Sequence, residues 1–227
     1  RSSAASDVYK RQGRGRPAPS PRVVHPADGA VQAVRLGVDC SEYQAGLDFT
    51  GFDFAVLRTT DGTYQDPCFE QLLLDAHSSH CSLSTYHYLR SPSEGTTVAE
   101  QVGAALAVLN GRRLPMWLDV ESPAGLSLAD VRAAATAFRA ADVPVAGIYT
   151  TARYWRRHMC LANPAEFGAL WLAQWGDNSV TDPARLGPWP RPLGFPAPQV
   201  WQFTSRGRVG GIAVDLNLAV AGCVGVG

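Results

Sequence analysis

The chain has 227 residues, 46% of them hydrophobic, and its 20 Lys and Arg residues balance its 20 Asp and Glu residues. That length is enough for one sizeable hydrophobic core, in a single domain or a small barrel. The zero net charge argues against nucleic acid as a partner, because phosphate binding needs an excess of basic residues. No stretch has the apolar length of a membrane span, so we expect a soluble protein without a membrane partner.

The first 33 residues are predicted to be a disordered or artefactual arm. Arg, Ser, Pro, Ala and Gly dominate this segment with little apolar periodicity, a composition typical of disorder. Residues 3–12 resemble a translated library adapter more than a biological segment, and no charged-then-apolar signal peptide opens the chain. The folded domain is therefore placed at residues 34–223.

Eight short apolar runs in the folded domain predict eight β-strands. Each run is too short for a helix, and turn residues or helical patterns separate it from the next. The runs are Leu36 to Asp39, Phe54 to Leu57, Leu83 to Tyr88, Met116 to Glu121, Val145 to Tyr149, Leu170 to Trp175, Val200 to Phe203 and Ile212 to Asp215.

Helical patterns lie between several of these strands. Apolar residues at helical spacing predict a helix over 69–79, and capping boxes at Thr97 and Ser127 open helices that run to about residues 110 and 141. A shorter helix is predicted over 153–161. Strands alternating with helices imply a parallel sheet, and eight such strands suggest a barrel. No long helix follows Trp175, which indicates a reduced, partly antiparallel closure.

The run from Met116 to Glu121 has the strongest chemical signal. Side chains alternate along a strand, which places Trp117, Asp119 and Glu121 on one face and Leu118 with Val120 on the other. Two acids about 6–7 Å apart share one site, where one ionises and the other keeps its proton. Cleavage of a glycosidic bond requires that arrangement. The alternative is a solvated loop start that caps a helix.

Other strand ends also place polar and aromatic residues at the expected site. In barrels with parallel strands the site lies at the C-terminal strand ends. Small residues such as Gly37 and Gly147 share a face with the polar ones and suit a crowded interior. The side chains expected to converge there are Asp39, Arg58, Tyr86, Tyr88, Asp119, Glu121, Tyr149, Trp175 and Asp215.

Eight motifs in order resemble glycoside hydrolase family 25, the lysozymes that cleave bacterial peptidoglycan. The resemblance covers about residues 36–217, nearly the whole folded part. The motifs are Gly37-Val-Asp39-Cys-Ser-Glu-Tyr-Gln44, Arg58-Thr-Thr-Asp61-Gly62-Thr63, Tyr86-His-Tyr88, Leu118-Asp119-Val-Glu121, Gly147-Ile-Tyr149-Thr150, Trp171-Leu-Ala-Gln-Trp175, Trp201-Gln-Phe-Thr-Ser205 and Val214-Asp215-Leu-Asn217.

The resemblance implies an α/β fold, a flattened and reduced TIM-like barrel of five β/α units followed by three β-strands. It implies N-acetylmuramidase activity, with residues 34–223 as the catalytic glycoside hydrolase domain. Glu121 resembles the general acid, its pKa raised by partial burial and an ionised Asp119. Asp119 is the nucleophile or the carboxylate that orients the substrate's acetamido group. Asp39 and Asp215 match the other two carboxylates of the family site.

The residues expected to contact sugar come from the same motifs. Arg58 and Asp61 are equally well interpreted as an ion pair that shapes their loop. Aromatic residues such as Tyr88, Trp117 and Trp171 also have a core interpretation, since aromatic side chains dominate buried area. The substrate-binding set is Tyr86, Tyr149, Trp175, Arg58, Asp61, Tyr88 and Gln202.

Bacterial peptidoglycan is the expected partner, acted on outside the cell or at the cell wall by a monomer without cofactor or metal. The His and Cys residues of segment 77–81 lack the second ligand cluster that a metal site needs. Two alternatives remain open, namely a glycan-binding barrel that has lost catalysis and a hydrolase of another N-acetylated glycan such as chitin. A retaining, an inverting and a substrate-assisted route all remain possible.

Several further residues have structural interpretations. The five cysteines are an odd number, so at least one thiol is free or paired outside the chain. Cys68 and Cys81 are spaced to close a short loop in an oxidising compartment. Cys40 is expected to pack against the helices and His87 to be a structural histidine. The cluster from Arg153 to Arg157 is expected to be a solvated helix face.

Overall fold

The computed structural model describes residues 22–24, 31–160 and 162–221, with side chains from residue 34 onward. Ten strands occur within these residues, and helices and turns connect them along the chain. In chain order they are β1 (Arg22–Val24), β2 (Val31–Cys40), β3 (Phe54–Asp61), β4 (Tyr64–Gln65), β5 (Ser82–Tyr88), β6 (Met116–Asp119), β7 (Val145–Thr150), β8 (Ala169–Ala173), β9 (Val200–Val209) and β10 (Ile212–Val220).

Eight of these strands close into a barrel. Parallel pairing runs from β2 through β3, β5, β6, β7 and β8 to β9. The last strand, β10, is antiparallel to both β9 and β2 and so closes the ring. All eight predicted strands and the partly antiparallel closure are confirmed. The two strands that were not predicted, β1 and β4, pair only at the margins of the barrel.

Four α-helices in the described residues cover the barrel: α1 (Phe69–Ser78), α2 (Val98–Leu109), α3 (Leu128–Ala140) and α4 (Ala152–His158). The predicted caps are confirmed, since Thr97 accepts a hydrogen bond from the Glu100 N–H and Ser127 from the Asp130 N–H. The connection from β2 to β3 contains one 3₁₀ turn, Glu42–Gln44, where a fifth α-helix would lie. The predicted count of five β/α units is therefore not confirmed.

The barrel separates two apolar layers, as the alternation of side chains predicted. Trp117 on β6 points inward, where its ring meets Trp171 edge-on with centroids 5.6 Å apart. Leu118 on the same strand and Val120 just after it point outward and pack under the helices. Cys40 is also in the outer layer and is fully buried, which confirms its packing role. Because β6 alternates in this way, the acids that follow Trp117 face the barrel axis.

Glycine is required where β7 passes β8. A Cβ on Gly147 would lie 1.8 Å from the carbonyl oxygen of Ala169, a distance that no side chain tolerates. We expect Gly147→Ala to destabilise the protein by about 3 kcal/mol or more, because the two strands would have to separate. Chemical denaturation of the purified variant measures this loss.

The control is Gly103→Ala on the exposed face of α2, where an added Cβ would meet nothing within 4 Å. There the same substitution is expected to stabilise the protein by about 1 kcal/mol, because alanine is the better helix former. A Gly147→Ala variant as stable as the wild type would contradict the close approach of β7 and β8.

Only part of the predicted arm is described. Strand β1 lies within it and pairs with Val31–Ala33, while residues 1–21 and 25–30 are outside the described residues. The domain boundary at residue 34 stays a prediction. Cys68 and Cys81 are free thiols, so the loop closure that their spacing left open is not formed, and Cys223 lies outside the described residues. Among the described residues, no helix has the length and apolar character needed to cross a membrane.

Candidate active site

The C-terminal strand ends form one open cleft of about 170 Å³. Nine of the eleven predicted site residues line it, and the other two, Asp61 and Trp175, lie beside it. Trp171, for which a core position was predicted, also lines the cleft while remaining 2% exposed. The lining residues, which we call the cleft, are Asp39, Arg58, Tyr86, Tyr88, Asp119, Glu121, Tyr149, Trp171, Gln202 and Asp215.

Two side-chain amides hold the carboxylates of β2 and β10 together. The Nε2 atom of Gln202 donates to Asp39 Oδ1 at 3.0 Å and to Asp215 Oδ2 at 3.2 Å. Asn217 Nδ2 also donates to Asp39 Oδ1, at 2.6 Å, and Asn217 Oδ1 accepts from the indole N–H of Trp171. These pairs form because β2 and β10 place Asp39 directly opposite Asp215. The amides thus fix both carboxylates at one side of the cleft.

Asp119 and Glu121 form the opposite side of the cleft. Asp119 is the last residue of β6, between Tyr88 on β5 and Tyr149 on β7. It is 7% exposed, and within the described part of the chain its Oδ1 atom is buried without a hydrogen-bond partner. Glu121 follows two residues later and is half-buried. Asp119 is therefore a buried carboxyl in the lining of the cleft, with one oxygen that has no hydrogen-bond partner.

All four carboxyl groups have raised pKa values. Burial raises the pKa of Asp39 to about 6, against the opposing hydrogen bonds from Asn217 and Gln202. Burial and the neighbouring Asp39 raise the pKa of Asp215 to about 8. For Glu121 the causes are again burial and then Asp39, whereas burial and then Glu121 raise the pKa of Asp119 well above its usual range. The cluster consequently retains protons at neutral pH.

This finding corrects one detail of the sequence-based prediction. An ionised Asp119 was expected to raise the pKa of Glu121, together with partial burial. In the structure burial and Asp39 raise it, and Asp119 is itself a group that holds its proton strongly. The physical reason is the environment of Asp119, because its unpaired, buried oxygen leaves a negative charge poorly stabilised.

One consequence is a loss of stability between pH 6.5 and pH 8. Folding raises the pKa of Asp215 from 3.8 to about 8, so the stability from its bound proton is complete below 3.8 and disappears as pH rises through 8. Burial lowers the pKa of His87 from 6.5 to about 4, an opposite effect that ends at pH 6.5. Above it, the proton held by Asp215 makes stability fall by at most about 1.4 kcal/mol per pH unit, and the proton that Asp119 holds adds to this fall.

Thermal unfolding at half-unit steps from pH 6.5 to pH 8 measures this effect, with about 2–4 °C expected for each kcal/mol. Asp215→Asn has no titrating proton at this position, so its melting temperature should fall less with pH than that of the wild type, which loses the Asp215 contribution in addition to that of Asp119. A wild-type protein whose stability rises or stays level in this window would show that Asp215 does not hold its proton.

Aromatic side chains build the wall between the two carboxyl pairs. The ring of Tyr149 meets Trp171 with centroids 4.7 Å apart, and Tyr86 meets the same indole edge-on at 6.5 Å. The Tyr149 hydroxyl and the indole N–H of Trp175 both donate to Gln202 Oε1, at 2.9 Å each. Trp175 remains 41% exposed at the rim. Its ring is consequently available to stack on a bound sugar.

Arg58 and Asp61 do not form the ion pair that was one interpretation of their motif. Arg58 instead pairs with Glu42 and Asp66, each at 2.8 Å, while part of its side chain reaches the cleft. Asp61 pairs with Arg90 at 2.6 Å. The predicted pairing is wrong because each partner comes from a different connection. Arg58 therefore lines the cleft, whereas Asp61 lies beside it.

Arg90 connects Asp61, through Glu94, to the segment after β6 that contains Glu121. Its guanidinium lies 4.9 Å above the ring of Tyr88 and donates to both oxygens of Asp61 and to Glu94 Oε1. The other oxygen of Glu94 accepts from the hydroxyl of Ser122, the residue after Glu121. Sequence reasoning named neither Arg90 nor Glu94, since neither follows the alternation of a strand. Asn217 was quoted in the last motif but not assigned to the site, although it follows Asp215 at the spacing of one strand face.

Comparison with known proteins identifies the family. The sequence pattern described as glycosyl hydrolases family 25 matches residues 38–212. The chain is 30% identical to Lysozyme M1 of Streptomyces globisporus, in a match covering 88% of this chain and 70% of that protein. The crystal structure of the bacterial lysozyme from Streptomyces coelicolor is similar at a TM-score of 0.60 and 27% identity, covering 83% of this chain and 92% of that chain.

A fungal protein shares the fold at lower identity. The family GH25 lysozyme from Aspergillus fumigatus matches with a TM-score of 0.62 and 22% identity, over 82% of this chain and 93% of that chain. The resemblance inferred from the eight motifs is confirmed by the family match and the bacterial relatives together. The chain belongs to the glycosyl hydrolases of family 25.

Proposed function

We propose that this glycoside hydrolase is a lysozyme that cleaves the β-1,4 bond between N-acetylmuramic acid and N-acetylglucosamine in bacterial peptidoglycan. The proposal rests chiefly on one observation, the two acids at the C-terminal end of β6 in an open cleft, with burial raising the pKa of both. A buried pair of carboxyl groups is costly to fold, and catalysis of glycoside hydrolysis explains it. The bacterial relatives named lysozymes support the same substrate.

Glu121 is the proposed general acid. Its side chain is half-buried at the cleft wall, and burial followed by the neighbouring Asp39 raises its pKa above the usual value of a glutamic acid, so that it keeps its proton to a higher pH than a free side chain would. A protonated carboxyl can give its proton to the glycosidic oxygen as the bond breaks, which makes the departing sugar a neutral alcohol. After this step Glu121 is an anion and can accept a proton from the attacking water.

Negative charge for the oxocarbenium-like transition state comes from the remaining carboxyl groups. Asp39, with a pKa of about 6, is mostly ionised at pH 7, and its two amide donors hold that charge in place. Asp119 approaches the sugar either as nucleophile or as the group that orients the acetamido oxygen. In both roles it acts as an anion, so its proton has to pass to solvent water in the open cleft before positive charge develops at the anomeric carbon. Asp215, mostly protonated at pH 7, donates a hydrogen bond instead.

The aromatic wall and the arginine give the cleft its proposed specificity for sugar rings. Trp175 and Tyr88 offer ring faces to the less polar sides of pyranose rings, while Tyr86, Arg58 and Gln202 offer polar atoms. Asp61 contributes by holding Arg90 on the far face of Tyr88. We further infer that the enzyme works as a monomer outside the cell or at the cell wall, where peptidoglycan lies.

The decisive experiment identifies the sugar at the new reducing end. Purified peptidoglycan is digested, the products are reduced with borohydride, and mass spectrometry distinguishes reduced muramic acid from reduced glucosamine. Reduced muramic acid is the expected result. Reduced N-acetylglucosamine would contradict the proposed bond, and cleavage of chitin oligomers in preference to peptidoglycan would favour the other N-acetylated substrate. Binding without cleavage by folded protein would assign the chain to the glycan-binding class.

A further inference from the structure

A second pocket of about 350 Å³ opens beside the cleft, between α4 and the loop after Glu121. It is not used by the proposed chemistry. The sequence led us to expect only a solvated helix face there, and all three arginines from that segment are exposed as predicted. The lining residues, which we call the arginine pocket, are Pro123, Thr151, Arg153, Tyr154, Arg157 and His158.

Tyr154 ties the arginine pocket to the cleft. Its hydroxyl donates to the carbonyl of Ser122 at 2.9 Å and accepts from the N–H of Leu126 at 3.0 Å. His158 stacks on the Tyr154 ring with centroids 4.4 Å apart. Pro123 is two residues from Glu121, so their Cα atoms are at most about 7 Å apart. The pocket therefore has a rigid wall that adjoins the proposed general acid.

The charge of the arginine pocket is unpaired. Arg153 and Arg157 are one helical turn apart on the same side of α4, and both are exposed. Within the described residues, neither forms a hydrogen bond, an ion pair or a ring contact. By contrast Arg156, between them, donates to the carbonyl of Leu193 and lies over the ring of Phe195. Two free guanidinium groups beside a pocket form a site for an anion, and carboxylates fit their paired donors.

We propose that the arginine pocket binds carboxylates of the short acidic peptides that peptidoglycan carries on its muramic acid residues. The inference rests on the proposed function, because such a peptide starts on the same sugar whose bond is cleaved. The four carboxyl groups of the cleft disfavour the binding of the peptide's carboxylates among them. The peptide therefore has to leave the cleft at one side. The arginine pocket is the positively charged exit next to Glu121.

The test compares one pair of variants on two substrates. Arg153→Gln/Arg157→Gln removes both charges. Arg112→Gln/Arg113→Gln makes the same change in one half-buried and one exposed arginine, paired with Glu70 and Asp142, that precede β6 at the opposite end of that strand from the cleft. The first substrate is peptidoglycan freed of teichoic acids with hydrofluoric acid. The second is the same glycan after an amidase has removed its peptides. Reducing-end release gives kcat and KM for each combination.

We expect Arg153→Gln/Arg157→Gln to lower kcat/KM about tenfold on the peptide-bearing glycan, mainly by raising KM. Activity on the peptide-free glycan should be unchanged, and the Arg112→Gln/Arg113→Gln control should match wild type on both. An equal loss on both substrates would overturn the proposal, since the arginines would then serve the glycan or the fold. The same assay on walls left untreated with hydrofluoric acid tests for teichoic acid binding, and a loss seen only there would overturn the proposal in favour of phosphodiester binding.

Failure of the proposed function is distinguished by a binding measurement. If the wild-type protein cleaves neither substrate, co-sedimentation with the insoluble peptide-bearing and peptide-free glycans still reports on the pocket. Stronger wild-type binding to the peptide-bearing glycan, lost in Arg153→Gln/Arg157→Gln, would support the pocket without any hydrolysis. Equal binding to both glycans would overturn it.

Discussion

Glu121→Gln is expected to lower kcat/KM on peptidoglycan by about 10³-fold, within the range of general acid catalysis. Glutamine has nearly the same shape as glutamic acid, so the cleft keeps its geometry, but its amide cannot transfer a proton to the glycosidic oxygen. The loss should appear in kcat more than in KM, because the proton moves only as the bond breaks. Reducing-end release by wild type and variant, at equal concentrations of folded protein, measures it.

The melting temperature of the variant provides one control for this experiment, because it shows whether the protein is still folded. Burial and Asp39 raise the pKa of Glu121, so a neutral side chain is favoured at that position and the melting temperature should not fall. Glu166→Gln makes the same change in a surface carboxylate that pairs with Arg132 outside the cleft, and should keep full activity. If Glu121→Gln cleaves peptidoglycan at the wild-type rate, another group is the acid and the site assignment is wrong.

Asp119→Asn is expected to lower kcat/KM by at least about 10²-fold while leaving the protein at least as stable. Asparagine cannot attack the anomeric carbon, nor can it supply the negative charge that orients an acetamido group. Stability should not decrease, since burial and Glu121 already disfavour a charge at this position. Paired activity assays and thermal melts measure both effects, and Asp75→Asn on α1 is the matched control. A fully active Asp119→Asn variant would remove this residue from the mechanism.

A second variant at this position separates the chemical routes. In Asp119→Ala, added azide can take the place of a missing protein nucleophile and restore cleavage, with a glycosyl azide as the product. The substrate-assisted route predicts no such rescue, and it predicts that a thiazoline analogue of the cyclised acetamido intermediate inhibits the wild-type enzyme. An inverting route predicts neither result.

The parts of the site that sequence predicted are those set by strand alternation. Trp117, Asp119 and Glu121 share a face because residues two apart on a strand point the same way, whatever the surroundings. The position of Asp39 opposite Asp215 requires the register of β2 against β10, which the motifs identified only through family resemblance. Local periodicity therefore predicts which residues face the cleft, while the partners of those residues depend on long-range pairing.

The wrong prediction that Arg58 pairs with Asp61 also arises from contacts that are distant in sequence. Arg58 was considered together with Asp61 because the two are close in sequence, yet its partners Glu42 and Asp66 come from the preceding connection and from the turn after β4. The two residues of β4 are too few to produce a periodic pattern. Trp171 was assigned to the core on its size, and the structure has it buried at 2% exposure while it also lines the cleft. The indole ring is large enough to be almost fully buried and still to form part of the cleft wall.

Because the antiparallel strand β10 comes last in the chain, the site is completed only at the end of synthesis and folding. Asp39 and Asn217, whose side chains are joined by a hydrogen bond, are 178 residues apart in the chain. During translation Asp39, Asp119 and Glu121 all leave the ribosome before the β9–β10 hairpin exists. Until β10 inserts, β2 and β9 are unpaired edges that invite aggregation, and Asp39 lacks its amide donors. Hydrolytic activity and protection of the barrel edges therefore arise in the same final step of folding.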